Sequence, residues 1–481
     1  MKTVFAKSVE GRTGVIPVRP EKEASSFLPQ DLLRKTPPAL PQLSELDVVR
    51  HFTELSTKNY NVDRNFYPLG SCTMKYNPKF TEYAAALPGF ASAHPLLPQL
   101  PEGEAMAQGS LEAIWLTEKW LCELNGMAAF TTQPMAGAQG ELAGALLIAA
   151  YHRSKGNKKT KVIVPDSSHG TNPATAALAG YEVVNIASKD GIIDPEALEA
   201  ALDDSVAALM MTCPNTLGLF EKHLGALVEK LRAVDALLYY DGANLNAIMG
   251  RMRVGDVGFD VVHLNLHKTM AAPHGGGGPG SGPVGVSEKL VPFLPGPRVV
   301  KNADGSFGLQ AAMPQSIGQM TPFYGHFGVF IKALAYMMRL GGEGLSRASD
   351  YAVLNANYML KLLEKDLDVP YPGLCMHEFV VSASRYEAFG IKALDIAKGL
   401  LDKGYHAPTV YFPLIVKECL MIEPTETESK ETLDKFCADL LDILKEAQDN
   451  PEALRAAPHA LPVRRLDETK AAREMVLQDD L

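Results

Sequence analysis

Four stretches of this chain place residues that could do chemistry directly after short apolar runs. The first, Gln133 to Gly140 ("QPMAGAQG"), puts small residues ahead of a helical pattern. Such a helix start aims N–H groups outward with the helix dipole behind them, which suits an anion, although the same residues also make a plain tight turn. No Gly-Lys-Ser/Thr follows, so it is not a nucleotide P-loop. The second stretch, "SSHGTNPA" after "KVIVPD", places His169 where a strand should end. Its ring could stack on a planar ligand or serve as a surface or structural hydrogen-bonder. In the third, "ALLYYDGAN", Asp241 stands at the mouth of an apolar strand. A carboxylate there needs a cation or hydrogen-bond donors, unless it only caps a turn. The fourth is "FDVVHLNLHKTM", with Lys268 after a buried-strand pattern and glycines from Gly275 to Gly278 behind it. That lysine is a candidate nucleophilic amine, or a terminal lysine that snorkels to water. The glycines allow close backbone approach, or form a flexible loop.

Taken together and in this order, the four fit pyridoxal phosphate. Its phosphate suits the helix start and its ring a stacking partner. Its pyridine nitrogen suits a carboxylate, and its aldehyde a lysine Schiff base.

The elements that must position these groups follow from periodicity. "KVIVPD", "YEVVNIA", "VAALMMTCPN", "ALLYYDGAN" and "FDVVHLNLHK" read as continuous buried strands, separated by helical stretches such as "DPEALEAALDD" and "HLGALVEKLRAVD". Strands of that kind alternating with helices predict a largely parallel α/β sheet covered on both faces, with ligands outside the strands' carboxyl ends. Residues 1–100 are rich in proline and read as an extended arm; 101–330 form the large α/β domain. Residues 331–449 read as a smaller α+β domain, with a long helical pattern from Lys332 and strands in "CMHEFVVSAS" and "CLMIEPTE". Residues 450–481 read as a charged tail.

Composition narrows the function classes. The 481 residues carry a net charge of −10, which argues against nucleic acid as the main partner. Cys72, Cys122, Cys213, Cys375, Cys419 and Cys437 are scattered without zinc-ligand or redox spacing, so no metal site is expected, and reduced thiols are. No apolar stretch is long enough to span a membrane, and the start lacks a signal or transit pattern. These features point to the cytoplasm.

The long motifs are more specific than any of these features. "NFYPLGSCTMKYNP", "QPMAGAQGE", "SSHGTNPA", "DGANLNAIMG", "HLNLHKTMAAPHGGGGPGSGPVGV", "GYHAPTVYFP" and "LMIEPTE" together resemble the glycine decarboxylase family, the P-proteins of the glycine cleavage system. The resemblance runs from about residue 60 to about residue 440 and is to the carboxyl half of the long single-chain form, matching the second subunit of the split form. It implies the aminotransferase-like fold, type I among pyridoxal phosphate enzymes, and a Schiff base on Lys268. It implies Asp241 facing the pyridine nitrogen, His169 stacked on the ring, and Ala138 and Gln139 in the phosphate-binding turn. Thr171, Asn215 and His267 are implied near the cofactor, and Ser71, Cys72, Thr73, Lys75 and His406 near the substrate. The implied activity is decarboxylation of glycine with transfer of the aminomethyl group to the lipoyl arm of the H-protein. The implied partners are that carrier and a separate subunit 1, two copies of each subunit. Another pyridoxal enzyme of the same fold, such as an aminotransferase, is the nearest alternative. A non-catalytic partner subunit is a second, disfavoured by the presence of Lys268 and Asp241, and a Gly-rich nucleotide-binding protein is a poor third.

Overall fold

In the computed structural model, residues 2–15, 27–36, 38–275 and 278–477 are described. Gly276 and Gly277 of the glycine block lie outside them, as do parts of the arm and the tail. The chain divides into two compact units, Met1–Asn61 with Ala460–Leu481, and Val62–His459. In the first unit, helix α1 (Glu45–Ser56) starts at a capping box: the Ser44 side chain accepts from the Asp47 N–H, and Asp47 binds back to the Ser44 N–H. Its Leu46, Val49 and Phe52 are exposed.

The second unit is built on a seven-stranded sheet. Its strands are β1 (Ala129–Thr131), β2 (Lys161–Pro165), β3 (Glu182–Ile186), β4 (Val206–Thr212), β5 (Leu237–Gly242), β6 (Val261–Leu264) and β7 (Val284–Val286). Their order is β1-β7-β6-β5-β4-β2-β3. The five strands from β6 to β3 pair in parallel, as the sequence pattern predicts, while β7 runs antiparallel to both β6 and β1. Strand β5 is buried along its whole length, as expected where helices cover both faces. The sheet ends most relevant to the site are fixed by register: Asp241 of β5 lies directly beside Thr212 of β4 and His263 of β6.

Helix α2 (Gln108–Asn125) precedes β1, and α3 (Gly137–Ser154) follows it. Helix α3 packs so close to the sheet that two positions of its inner face have no room for a side chain. A Cβ at Gly144 would meet the Tyr239 ring at 2.4 Å, and one at Gly140 would meet the Gly282 carbonyl oxygen at 2.6 Å. The run of small residues that suggested an anion-binding turn therefore also serves close helix–sheet packing.

The helical pattern from Lys332 is realised as α4 (Phe327–Leu363), broken at Gly341, whose φ of 62° and ψ of −178° are open only to glycine. The smaller sheet that follows is antiparallel, with β8 (Phe379–Ser382) and β9 (Thr409–Val410) flanking β10 (Cys419–Ile422). Its core includes Phe379, Leu420, Ile422 and Phe436. Among the described residues, no helix is long and apolar enough to cross a membrane.

Gly144→Val forces the helix away from Tyr239, and overpacking of this kind costs about 1–3 kcal/mol. The denaturation midpoint of this variant should fall clearly. Gly225→Ala, where an added Cβ meets nothing within 4 Å, should leave the midpoint unchanged or slightly raised.

Candidate active site

A cavity of about 210 Å³ opens at the carboxyl ends of the parallel strands. Lys268, Asp241, His169, Thr171, Ala138 and Ser71 all line it. These are the residues from the sequence reading that the fold gathers, although they come from five separate loops or strand ends.

Asp241 is the most constrained of them. It is 4% exposed at the end of β5. Its Oδ2 accepts from Asn172 Nδ2 at 2.9 Å and its Oδ1 from the Ala243 N–H at 3.0 Å. His263 Nε2 lies 3.4 Å from Oδ1, and Tyr239 Oη lies 2.7 Å from His263 Nδ1. Burial pushes the His263 imidazole below its usual range, with Lys268 adding to the effect. Burial alone would raise the Asp241 carboxyl. The combined pull of His263, Asn172, the Ala243 N–H and Lys268 outweighs burial and holds the carboxyl below the ordinary aspartate range. The structure thus keeps an ionised carboxylate at the bottom of a cavity.

Glu141 stands on the other side of Asn172. The same Asn172 Nδ2 donates to Glu141 Oε1, and Thr171 Oγ1 donates to that oxygen at 3.1 Å. Burial, and then the Asp241 charge, push Glu141 up to about 7. One amide therefore bridges two carboxyls whose affinities for a proton are driven apart. His169, exposed at the cavity rim, sets its Nδ1 2.8 Å from Thr171 Oγ1, and its ring meets Phe412 edge-on at 5.7 Å.

Lys268 follows β6 by one short turn. Its Nζ donates to the Ser71 carbonyl at 2.7 Å. Ser71 and Thr73 both sit in the left-handed backbone region, with φ of 62° and 49°. Gly137 and Ala138 bring the first turn of α3 to the cavity wall, where helix N–H groups lack partners within the helix.

Other expected residues lie off the cavity wall. The Gln139 side chain is spent on its own turn: Oε1 accepts from the Met135 N–H at 2.8 Å, and Nε2 donates to the Met320 carbonyl at 3.1 Å. Asn215 organises the loop after β4 by accepting from the Leu217 and Leu219 N–H groups. His267 Nδ1 accepts from the Ser281 N–H at 3.2 Å. Lys75 is 1% exposed and ion-paired to Glu426 at 2.7 Å. His406 is stacked on Tyr67 at 3.8 Å. Cys72 and Thr73 follow Ser71 in sequence but do not line the cavity.

The sequence reading missed Glu141, Asn172, His263, Asn265, His377 and Glu378. Polar residues inside or beside apolar strand patterns, such as His263 in "VVHLNL" and Glu378 in "HEFVV", were the available signal.

These residues fit pyridoxal phosphate. A free primary amine, a buried ionised carboxylate and a helix start share one cavity. Asn265 Oδ1 and Thr212 Oγ1, both in residues lining that cavity, are buried without a hydrogen-bond partner in the protein.

Comparison with known proteins agrees. The family profile "Glycine cleavage system P-protein" matches residues 22–314, and "Glycine dehydrogenase, C-terminal domain" matches residues 348–459. The "Probable glycine dehydrogenase (decarboxylating) subunit 2" of Listeria welshimeri is 53% identical over 483 residues, covering 99% of this chain and 98% of that protein. A crystal structure of glycine decarboxylase (P-protein) of the glycine cleavage system, in inhibitor-bound form, superposes with a TM-score of 0.72 at 21% identity. It covers 87% of this chain and 94% of its own. Oryza sativa TDC with PLP and tryptamine gives a TM-score of 0.63 at 14% identity, over 89% and 93% of the two chains.

An acid raised to about 7 inside the fold takes up a proton that the unfolded chain, near 4.5, has already lost. Glu141 therefore lowers stability as pH rises from about 4.5 through about 7. Glu141→Gln should flatten that part of the stability-against-pH curve, read by denaturant unfolding across the interval. With the fold, the relatives and the profile matches in agreement, the chain belongs to the glycine cleavage system P-protein family.

Proposed function

We propose that this cavity is where the chain decarboxylates glycine, with pyridoxal phosphate carried on Lys268. The aminomethyl group then passes to the lipoyl arm of the H-protein and carbon dioxide is released. The observation that carries the reading is the pairing of Lys268 with an ionised, buried Asp241 in one cavity, in a chain of this family. The cofactor, when bound, supplies an electron sink for the pair left on the α-carbon as carbon dioxide departs.

The chain's own residues take distinct roles. Lys268 Nζ holds the cofactor. Asp241 keeps a proton on the pyridine nitrogen, and His263 and Asn172 keep Asp241 in place for it. Gly137 and Ala138 offer N–H groups to the phosphate. His169 covers the ring, held by Thr171. Ser71 places Lys268 Nζ through its carbonyl. Gln139, Asn215 and His267 act from behind this layer by shaping the loops that carry it. Cys72, Thr73, Lys75 and His406 belong to the substrate side in this reading. Lys268, once free of the cofactor, is also the nearest amine for moving protons at the substrate carbon.

In the same reading, residues 101–330 are the cofactor-binding domain, and 331–449 contribute His377 and Glu378 to the cavity. The relatives' designation as subunit 2 supports a separate subunit 1, and we place two of each in the active assembly. The six free cysteines suit a reducing cytoplasm.

The purified chain, loaded with pyridoxal phosphate and treated with borohydride, should carry the reduced adduct on the Lys268 peptide. Together with subunit 1 and lipoylated carrier, it should exchange labelled bicarbonate into glycine. Asp241→Asn should retain the adduct and lose about 100-fold or more in exchange rate. An adduct on any other lysine would overturn the assignment.

A further inference from the structure

One carboxyl of the cavity wall, Glu378, belongs to a second carboxyl pair that the roles above do not use. Glu378 directly precedes β8 and Glu423 directly follows β10. In the antiparallel register Phe379 faces Ile422, so the next rung sets Glu378 across from Glu423. They are 3% and 0% exposed, bring carboxylate oxygens within 4.8 Å of one another, and among the described residues neither is ion-paired to a lysine or arginine. Each instead accepts a backbone N–H from the same strained loop. Ser71 N donates to Glu378 Oε2 at 2.6 Å, and Thr73 N to Glu423 Oε2 at 3.0 Å. His377, 2% exposed, sets Nε2 3.7 Å from Glu378 Oε1 and has neither ring nitrogen hydrogen-bonded.

We propose that Glu378 and Glu423 share one proton, and that this singly charged pair clamps the Ser71–Thr73 loop so that the Ser71 carbonyl holds Lys268 Nζ.

Two buried carboxylates on facing strand ends cannot both ionise without a cation between them. Burial pushes both Glu378 and Glu423 above the usual glutamate range, and the Glu423 carboxyl adds to the rise at Glu378. The titratable groups around the pair are His377, Cys72, Cys375, Cys419 and Lys268. Burial drives the His377 imidazole down to about 3 and raises the three thiols, so these four are neutral near pH 7; Lys268 alone of these groups draws both carboxyls down, and burial outweighs it. One full carboxylate is still needed. Ser71 and Thr73 are held at φ of 62° and 49°, a region disfavoured for side chains of this kind, and charge-assisted N–H bonds stabilise such a turn. Glu423 is further fixed by Asn244 Nδ2, which donates to its two oxygens at 3.0 and 3.1 Å. Glu378 and Glu423 are therefore positioning residues that act on Lys268 through the loop. Their link to catalysis rests on the function proposed above, whereas the shared proton and the clamp do not.

Two measurements on the cofactor-free chain test this. The infrared difference spectrum of wild type minus Glu378→Gln/Glu423→Gln, taken near pH 7, should show one protonated-carboxyl C=O band and one carboxylate band. Two carboxylate bands, or two acid bands, would overturn the shared proton. The second measurement is the rate at which formaldehyde and borohydride methylate Lys268, read on its peptide. Glu378→Ala removes the acceptor for Ser71 N, frees Nζ from the Ser71 carbonyl, and should speed methylation about tenfold. Glu378→Gln keeps an acceptor and should stay within about twofold of wild type. A wild-type rate in Glu378→Ala, or a slower one, overturns the clamp. Neither measurement involves pyridoxal phosphate, so failure here is separable from failure of the proposed function.

Discussion

The site depends first on a single buried charge. Asp241 lies at the end of a fully buried strand, where an unpaired carboxylate would be costly. Everything nearest to it is arranged to keep it ionised. Sheet register puts His263 beside it, and Tyr239, two residues back on its own strand, fixes which imidazole nitrogen faces it. Asn172 reaches in from the helix after β2 and spends its amide on Asp241 and Glu141 together. Asn172 and the Ala243 N–H are neutral donors, which hold the carboxylate without neutralising it as a direct lysine or arginine partner would. That leaves its charge available to a ligand.

The parallel sheet makes this arrangement possible. Carboxyl ends of adjacent parallel strands leave the sheet on one edge, so the loops after β2, β5 and β6 meet there. The residues they bring are far apart in sequence but need only one register to converge. Helix α3 adds its first turn to the same edge, and its glycines set how near it can come. The antiparallel β7 closes the sheet toward β1, and the residues leading into it back the start of α3 through Gly282 and His267 through Ser281.

This explains what could be read from the sequence. Lys268, Asp241 and His169 were legible because each stands where an apolar strand pattern stops, and strand ends in this fold class share an edge. The parallel core was legible for the same reason. Asn172 was not legible: its importance comes from the two acids it bridges, one on a helix and one on a strand. Glu378 and Glu423 were harder still, since only the antiparallel register of a small sheet makes them neighbours. Gln139 shows the opposite failure. The motif places it in the turn that opens α3, yet its side chain is consumed in holding that turn's shape. Motif position locates a loop, but it cannot say which atoms of the loop face the cavity.

Four carboxyls thus gather around one lysine, and their environments divide the work. Asp241 is ringed by donors and keeps its charge. Glu141, with Asp241 as its neighbour, rises to about 7. Glu378 and Glu423 face each other with neither ion-paired to a lysine or arginine among the described residues, and burial pushes both up. Were all four ionised, the surplus negative charge would repel both a phosphate and a substrate carboxylate from the cavity. Raising three of the four confines permanent charge to Asp241, and to one member of the second pair where the Ser71–Thr73 backbone needs an acceptor. The lysine can then be held by a neutral backbone carbonyl, whose hold a ligand can replace without leaving a buried charge unpaired.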